Sequence, residues 1–407
     1  MKTILITAYS VNPYKGSEDG TGWNLAKQIA KENKIILITR KNNVPHLNKY
    51  FKSHDDPILS NIEYHGFDLP STITFIKKKL GSRGYVAYYY LWQLCIIRYI
   101  KKKKFKFDIA HSLNFHSDSQ PTFLWVFKKP TFWGPIGHHP KVPKEYLLKF
   151  YGWRKYFVDR LYYSVKWCFR NLDPLYRYSV KRVTKIFVIN SSVESVIKAN
   201  SGKIIPLSAV GSDPVLENIR IPKTGFNVLS VGRFHYMKGF DITIKAFAQF
   251  YHSLSEMEKE GVNLTLVGKG EERNSLLKLA EKEGVSKQIA WINWVNKSEM
   301  SEIYRTANAF LFPSHEGAGM VIPEALSYGL PILCFDNVGP GELAGDAGVK
   351  IKYSDYKKSI SDFADNLVQI RSTPILQQKL RSDSLAEFKK RFIWDVKGDI
   401  IQNSYSI

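Results

Sequence analysis

The sequence predicts an α/β protein made of two doubly wound domains in series. Three observations carry that expectation. The chain has 407 residues, which is long for one domain and suits two. Short, apolar, β-rich runs alternate with longer amphipathic segments, the pattern of open parallel sheets covered by helices. That pattern ends near residue 205 and restarts with FNVLSVG at Phe226–Gly232.

In chain order the first strands are KTILITA, KIILIT, NIEYHGF, FDIAHS, TFWG and KIFVIN, the last ending near Asn190. A turn region at Gly211–Pro214 precedes the restart. The second series is FNVLSVG, NLTLVG, QIAWI, AFLFP and PILCF, and from about Pro374 the chain reads as helices. The expected domains are 1–205 and 206–387, with a C-terminal helix at about 388–407 packing back on the first. The start, MKTILITA, has one lysine and a short apolar run, so it reads as a first strand and not as a secretory leader. No apolar run reaches the roughly 18 residues of a membrane span.

Composition narrows the function classes. Hydrophobic residues make up 44% of the chain, enough for sizeable cores and unlike disordered or collagenous chains. Three cysteines, Cys95, Cys168 and Cys334, stand far apart with no CxxC pair, so a reduced, cytoplasmic compartment is expected. Lys and Arg number 59 against 37 Asp and Glu, a net charge of +22. Such a balance fits nucleic acid, an anionic membrane surface, anionic small molecules, or simply a lysine-rich composition. Two basic-aromatic segments, Phe75–Phe107 and Phe150–Val183, lie in the first half. Their rings fit a core with a solvated lysine face, or a surface with cations for lipid phosphates and rings at headgroup depth.

The densest chemistry lies in FPSHEGAGMVIPEALSYGLPI, Phe312–Ile332. A buried strand ends at Pro313 and Ser314, a glycine turn follows, and a helix begins with Pro323 in its first turn and Gly329 at its end. In open α/β sheets ligands bind at this junction. Glycines let backbone N–H groups approach a ligand, and a helix start favours a phosphate. Glu316 on the turn and Glu324 on the helix are acceptor-only groups that suit sugar hydroxyls. Two sugars bridged by phosphate describe a nucleotide-sugar. Arg233 and Lys238, in SVGRFHYMKGFDITIKAF, stand on the loop after the restart strand, where two cations suit a diphosphate. LVGKGEER, with Gly268, is a second strand–glycine–helix junction, and IAWINWV, with Ile292, offers strand-end backbone to a nucleobase.

These residues resemble the retaining glycosyltransferases of family 4, of GT-B fold. The family's paired glutamates, VGR-x-x-x-x-KG, VGxG and NVGGxxE patterns correspond here to Glu316 and Glu324, VGRFHYMKG, VGKG and NVGPGEL. The resemblance covers most of 205–350. It implies two Rossmann-like domains facing across a cleft and transfer with retained configuration, without cofactor or metal. It implies that Glu324 binds ribose, Glu316 the transferred sugar, and Arg233 and Lys238 the diphosphate. Gly232, Gly317, Ala318, Gly319, Met320 and Val321 complete the donor site. Two departures touch the pocket wall: only His315 separates Ser314 from Glu316, and Ala318 stands where the family often has Phe.

In the first half, YKGSEDGTGWNLAKQIA resembles the family's N-terminal glycine loop, with Gly16 and Ser17 at its paired glycines; it is not a dinucleotide fingerprint, since Leu25 stands where the third glycine belongs. FDIAHSLNFHSDSQP resembles the segment whose histidine lines the sugar site. Either His111 or His116 holds that place; His116 is favoured because His111 falls within the strand. His111, His138 and His139 are acceptor-site candidates. The implied partners are a UDP- or GDP-sugar, a glycan or lipid-linked acceptor and an anionic membrane surface at the inner face of the cell membrane, and no nucleic acid. The competing readings are a GT-B enzyme without transfer, such as an epimerase or phosphorylase, and a basic membrane or nucleic-acid binder on a dead scaffold.

Overall fold

The structure is a computed structural model. It describes residues 1–113, 117–215, 225–293 and 295–406, with the side chains of Ser17, Leu80, Ser82 and Arg83 excepted. The chain forms two compact units, one of Met1–His138, Tyr163–Gly211 and Trp394–Ile407, the other of His139–Tyr162 and Ser212–Ile393.

The first unit holds β1 (Thr3–Thr7), β2 (Lys34–Thr39), β3 (Ile62–Gly66), β4 (Ile109–Ser112), β5 (Thr131–Ile136), β6 (Lys185–Val188) and β7 (Ile204–Pro206), in the order β3-β2-β1-β4-β5-β6-β7. Every pairing is parallel. Successive side chains of a strand point to opposite faces. Accordingly Ile4, Ile6 and Leu37 pack with Trp23, Ile29 and Ile401, while Leu5, Ile36 and Ile38 pack with Tyr88, Trp92 and Ile96. One face is thus covered by the helices Ser17–Ala30 and Trp394–Tyr405, the other by Ser82–Lys103. Strands buried on both faces read as unbroken apolar runs, which is why KTILITA and KIILIT were legible.

The second unit holds β8 (Phe226–Val231), β9 (Val262–Val267), β10 (Ile289–Ile292), β11 (Ala309–Phe312), β12 (Ile332–Phe335) and β13 (Gly348–Ile351), all parallel, in the order β10-β9-β8-β11-β12-β13. Val228, Leu264, Leu311 and Leu333 face Phe247 and Phe363 on one side. Leu229, Phe310, Phe312 and Ile332 face Ile322, Ala325 and Leu326 on the other. Each such side chain, fully withdrawn from water, contributes about 1.5–3 kcal/mol.

The units divide at Gly211/Ser212 and at Ile393/Trp394, not at 205/206 and near 388. The Trp394 ring lies against Gly211, close enough that a Cβ there would meet it at 2.8 Å. His139–Tyr162, expected in the first domain, belongs to the second unit. Specific polar contacts hold it there: the Tyr146 hydroxyl lies 2.6 Å from Ser359 Oγ, and the Tyr151 hydroxyl donates to Asp241 at 2.9 Å.

The two basic-aromatic segments differ. In the helix Ser82–Lys103, Tyr88, Tyr89, Trp92, Ile96 and Ile100 are core residues. In the helix Gly152–Leu172, by contrast, Trp153, Phe157, Leu161 and Trp167 are exposed.

Candidate functional site

In the second sheet the chain runs from β8 outward to β9 and β10, then returns to β11 on the other side of β8. The carboxyl ends of β8 and β11 therefore flank a topological switch point, where a crevice opens in sheets of this kind. The loop after β8 carries Gly232, Arg233 and Lys238; the loop after β11 carries Glu316 to Met320 and leads into the helix Val321–Ser327, which bears Glu324.

The two loops are tied together. Lys238 Nζ forms an ion pair with Glu316 Oε1, both side chains being largely shielded from solvent. The lysine also lies 5.1 Å from the centre of the Phe312 ring. The Ser314 hydroxyl and the His315 N–H both donate to the Met237 carbonyl, at 3.1 and 2.8 Å. Asn337 braces the turn from β12: its amide donates to the Ser314 carbonyl at 2.8 Å, while its Oδ1 accepts the N–H of Gly339 at 3.1 Å and of Gly341 at 3.2 Å. A Cβ on Gly339 would collide with the Glu316 carbonyl, so this close approach needs glycine. His315 stacks on Phe335 and Tyr353, and burial lowers its pKa to about 3.

Glu324 sits in the first turn of its helix. Burial raises its pKa; the Tyr304 hydroxyl, donating to Oε2 at 2.9 Å, draws it back down. Tyr304 is itself buried and stacked on Tyr328. The Tyr304 hydroxyl thus orients the carboxylate through Oε2.

Beside this crevice lies a cavity of about 640 Å³ at the ends of β8, β9 and β10. Gly232 and Arg233, Gly268 and Gly270, and Asn293 and Met300 contribute to its wall. A Cβ on Gly268 would strike the Gly232 carbonyl, which accounts for the glycine in VGKG. Ile292 ends β10 with its carbonyl accepting the Gly268 N–H at 2.7 Å; the wall beyond it is Asn293 and Val295. Arg233 is exposed at the rim.

The structure thus brings Gly232, Arg233, Lys238, Glu316, Gly317, Ala318, Gly319, Met320, Val321 and Glu324 onto neighbouring loops of one sheet edge, with Gly268 and Ile292 on the adjoining junctions. The expected histidines disperse. His111 is wholly buried in the first unit: its Nε2–H donates to the Gly134 carbonyl at 2.8 Å and Nδ1 meets the Tyr405 hydroxyl at 2.5 Å. Both its ring nitrogens are engaged in the core of the first unit, and burial lowers its pKa to about 4. His138 is likewise buried, with Nδ1 2.6 Å from Asp118 Oδ2. His139 belongs to the second unit, where Nδ1 accepts the Gly317 N–H at 2.9 Å; it supports the glycine turn. His116 lies outside the described residues. Gly16 is exposed at the N-cap of the helix Ser17–Ala30, after β1, and the Ser17 side chain is not among those described.

Sequence reasoning missed three supports. Asn337 stands in NVGPGEL, a motif that marked it. Tyr304 had no sequence signal, because its helix reads only as amphipathic. Asp118 had none either: it accepts from His138, Lys166 and Arg170 in a fully buried cluster.

Residues 214–384 match the model of the family described as glycosyl transferases group 1. Over 128 residues, 31% of this chain and 34% of the relative, the sequence is 33% identical to the amylovoran biosynthesis glycosyltransferase AmsD of Erwinia amylovora. It is 25% identical to the O-antigen chain mannosyltransferase B of Escherichia coli over 58% of this chain and 62% of that one. It is 30% identical to the lipopolysaccharide core biosynthesis glycosyltransferase LpsE of Rhizobium meliloti over 41% and 47%. The matches thus span less than two thirds of each relative's length. Among solved structures, WaaG, a glycosyltransferase involved in lipopolysaccharide biosynthesis, superposes with a TM-score of 0.61 at 18% identity, covering 98% of this chain and 99% of WaaG. Anabaena HepE in complex with UDP and glucose does so at 0.64 and 13%, covering both chains fully. The fold is GT-B: two parallel-sheet, Rossmann-like domains.

Proposed function

We propose that the protein is a retaining glycosyltransferase of the family 4 type. It moves a hexose-type sugar from a UDP- or GDP-sugar to a glycan or lipid-linked acceptor in cell-surface polysaccharide or glycoconjugate synthesis, acting peripherally at the inner face of the cell membrane. One observation carries the reading. Lys238 and Glu316 pair at the switch point of the second sheet, one loop away from Glu324, within the stretch that matches the group 1 model. The names of the relatives, from amylovoran, O-antigen and lipopolysaccharide core synthesis, support the substrate class.

In this reading the nucleobase enters the 640 Å³ cavity. Glu324 accepts from the ribose diol and Glu316 from a hydroxyl of the transferred sugar. The diphosphate displaces Glu316 from Lys238 and lies between Lys238 and Arg233. The acceptor hydroxyl oxygen attacks the anomeric carbon from the face the phosphate leaves. The carbon–oxygen bond to phosphate breaks, its electron pair stays with the diphosphate, and the departing phosphate oxygen takes the acceptor proton. Fixed cations stabilise charge as it grows there, which is often the largest catalytic contribution, and they do so without a metal or cofactor.

The test is incubation with a panel of nucleotide-sugars, with and without extracted lipid acceptor. Release of free nucleotide that depends on acceptor is expected. An isomerised nucleotide-sugar with no release would replace transfer by epimerisation, and no binding of any nucleotide-sugar would remove the enzyme reading.

A further inference from the structure

The helix Gly152–Leu172 is built inside out. Trp153, Phe157, Leu161, Val165 and Leu172 recur at spacings of four and seven, so they share one face. That face is exposed: Phe157 by 62%, Leu161 by 67% and Leu172 by 65%. The charged residues Asp159, Lys166 and Arg170 also share a face, the opposite one, and are buried. A surface helix of a soluble protein shows the reverse arrangement.

The inward charges are specifically held, so the arrangement is not a poorly packed core helix. Lys166 and Arg170 both pair with the Asp118 carboxylate, and Asp159 pairs with Arg160 and accepts from the Tyr236 hydroxyl at 3.4 Å. With its polar side committed, the helix turns a continuous apolar stripe outward. Single exposed apolar residues are ordinary; a contiguous stripe marks an interaction surface.

The charge around the stripe identifies what covers it. On this helix and the following one, Pro174–Arg182, the exposed charged residues are Arg154, Arg177, Lys181 and Arg182, with no exposed carboxylate. A second copy of the chain would set cations against cations, whereas an anionic lipid surface complements them. Trp153, Tyr162 and Trp167 are ring types favoured at the membrane–water boundary. The helix is 21 residues long, and no described helix is long and apolar enough to cross a membrane.

We propose that the helix Gly152–Leu172 lies in the plane of an anionic bilayer's interface, with its Trp153–Leu172 stripe buried among the acyl chains. This inference rests on the membrane part of the function proposed above and names the element responsible.

Cys168 lies on the same outward face and is exposed, as is Cys95, whereas Cys334 is buried. The full chain carrying Cys95→Ser, labelled at Cys168 with an environment-sensitive fluorophore, is mixed with vesicles of phosphatidylcholine alone or with phosphatidylglycerol. Flotation of the unlabelled protein is measured in parallel, with Phe157→Ser/Leu161→Ser and with Lys101, Lys102, Lys103 and Lys104 changed to Gln. The expected result is a blue-shifted, brighter label on phosphatidylglycerol vesicles only. Partitioning of Phe157→Ser/Leu161→Ser should fall at least about tenfold, while its unfolding midpoint and nucleotide affinity match wild type. If both proteins float equally and the label stays water-like, the helix is overturned while the membrane reading stands; loss of flotation in the four-lysine variant would then place the surface at 101–104. If wild type does not float at low salt, both fall. If light scattering shows a dimer that Phe157→Ser/Leu161→Ser dissolves, the stripe is a contact between copies and the proposal is wrong.

Discussion

Lys238 and Glu316, 78 residues apart in the chain, are joined as an ion pair where the loops after two adjacent parallel strands meet. The pair holds in one place a cation that suits a phosphate and a carboxylate that suits a hydroxyl. In the proposed function, a diphosphate arriving at Lys238 frees Glu316 as the sugar is delivered. Lys238→Ala is therefore expected to lower kcat by about 10²–10³-fold, the range for losing a donor aimed at developing charge. Steady-state kinetics check it. A rise in KM with kcat unchanged would mean that the lysine binds donor and transition state alike.

Glu324 and Tyr304 give a second expectation. Glu324→Ala should weaken nucleotide binding by roughly 1.5–3 kcal/mol, the loss of a charged hydrogen bond. Calorimetry reads it directly, and unchanged affinity would take Glu324 out of the site.

Tyr304→Phe makes a sharper test with a pH signature. Burial already holds the Glu324 carboxyl above its usual range, and the Tyr304 hydroxyl is what draws it down. Removing that hydroxyl raises the pKa further. In the proposed function the ionised carboxylate accepts the ribose diol, so nucleotide affinity of the variant should begin to fall at a higher pH than in wild type as the solution is acidified. At pH 8 the two should nearly coincide. Identical profiles would show that Tyr304 does not act through Glu324.

Legibility in the sequence followed physical simplicity. Strands buried on both faces, such as Leu5–Thr7 or Phe310–Phe312, read as apolar runs. The edge strands Ile204–Pro206 and Gly348–Ile351 did not, because each is short, half exposed and ends or begins in a residue that breaks the pattern. Glu316, Glu324, Arg233 and Lys238 were readable because glycines and prolines fix their junctions at set spacings. The surroundings of His111 were not legible, since a histidine inside a strand looks the same in sequence whatever it faces; here it faces Tyr405 and the Gly134 carbonyl. The segment His139–Tyr162 could not be assigned to the second unit, because the burial of Val142, Tyr146 and Leu147 in that unit's core, and the hydroxyl contacts of Tyr146 and Tyr151, are long-range and leave no mark on local sequence pattern. Nor could composition tell the core aromatics of Ser82–Lys103 from the outward ones of Gly152–Leu172.

Two buried histidines make acid stability predictable. Burial lowers His111 to about 4 and His315 to about 3, against an unfolded value near 6.5. Between those limits the unfolded chain binds protons that the folded one does not, so stability falls as pH drops below about 6.5. Urea unfolding at a series of pH values should show that fall, and His111→Gln/His315→Gln should flatten it. A double variant with the same slope would assign the acid sensitivity to other groups.

Asp118 offers the strongest single test of the first unit. Its carboxylate is fully buried and shared by Lys166, Arg170 and His138. Burial works against the charge, but the His138 hydrogen bond and the two cations outweigh it and hold the pKa well below the usual carboxylate range. Asp118→Asn keeps the shape and removes the negative charge that Lys166 and Arg170 share. Breaking a buried pair in this way costs about 3–5 kcal/mol, read as a lower urea midpoint at pH 7. The sign with pH follows from the depressed folded pKa: the stabilisation is present above the unfolded value and is lost as pH falls toward the folded one. The gap between wild type and Asp118→Asn should therefore narrow on acidification below about pH 4. A gap that stays constant would mean that the aspartate acts through packing and hydrogen bonding alone, and an absent gap at pH 7 would mean that the two cations find other partners when it is gone.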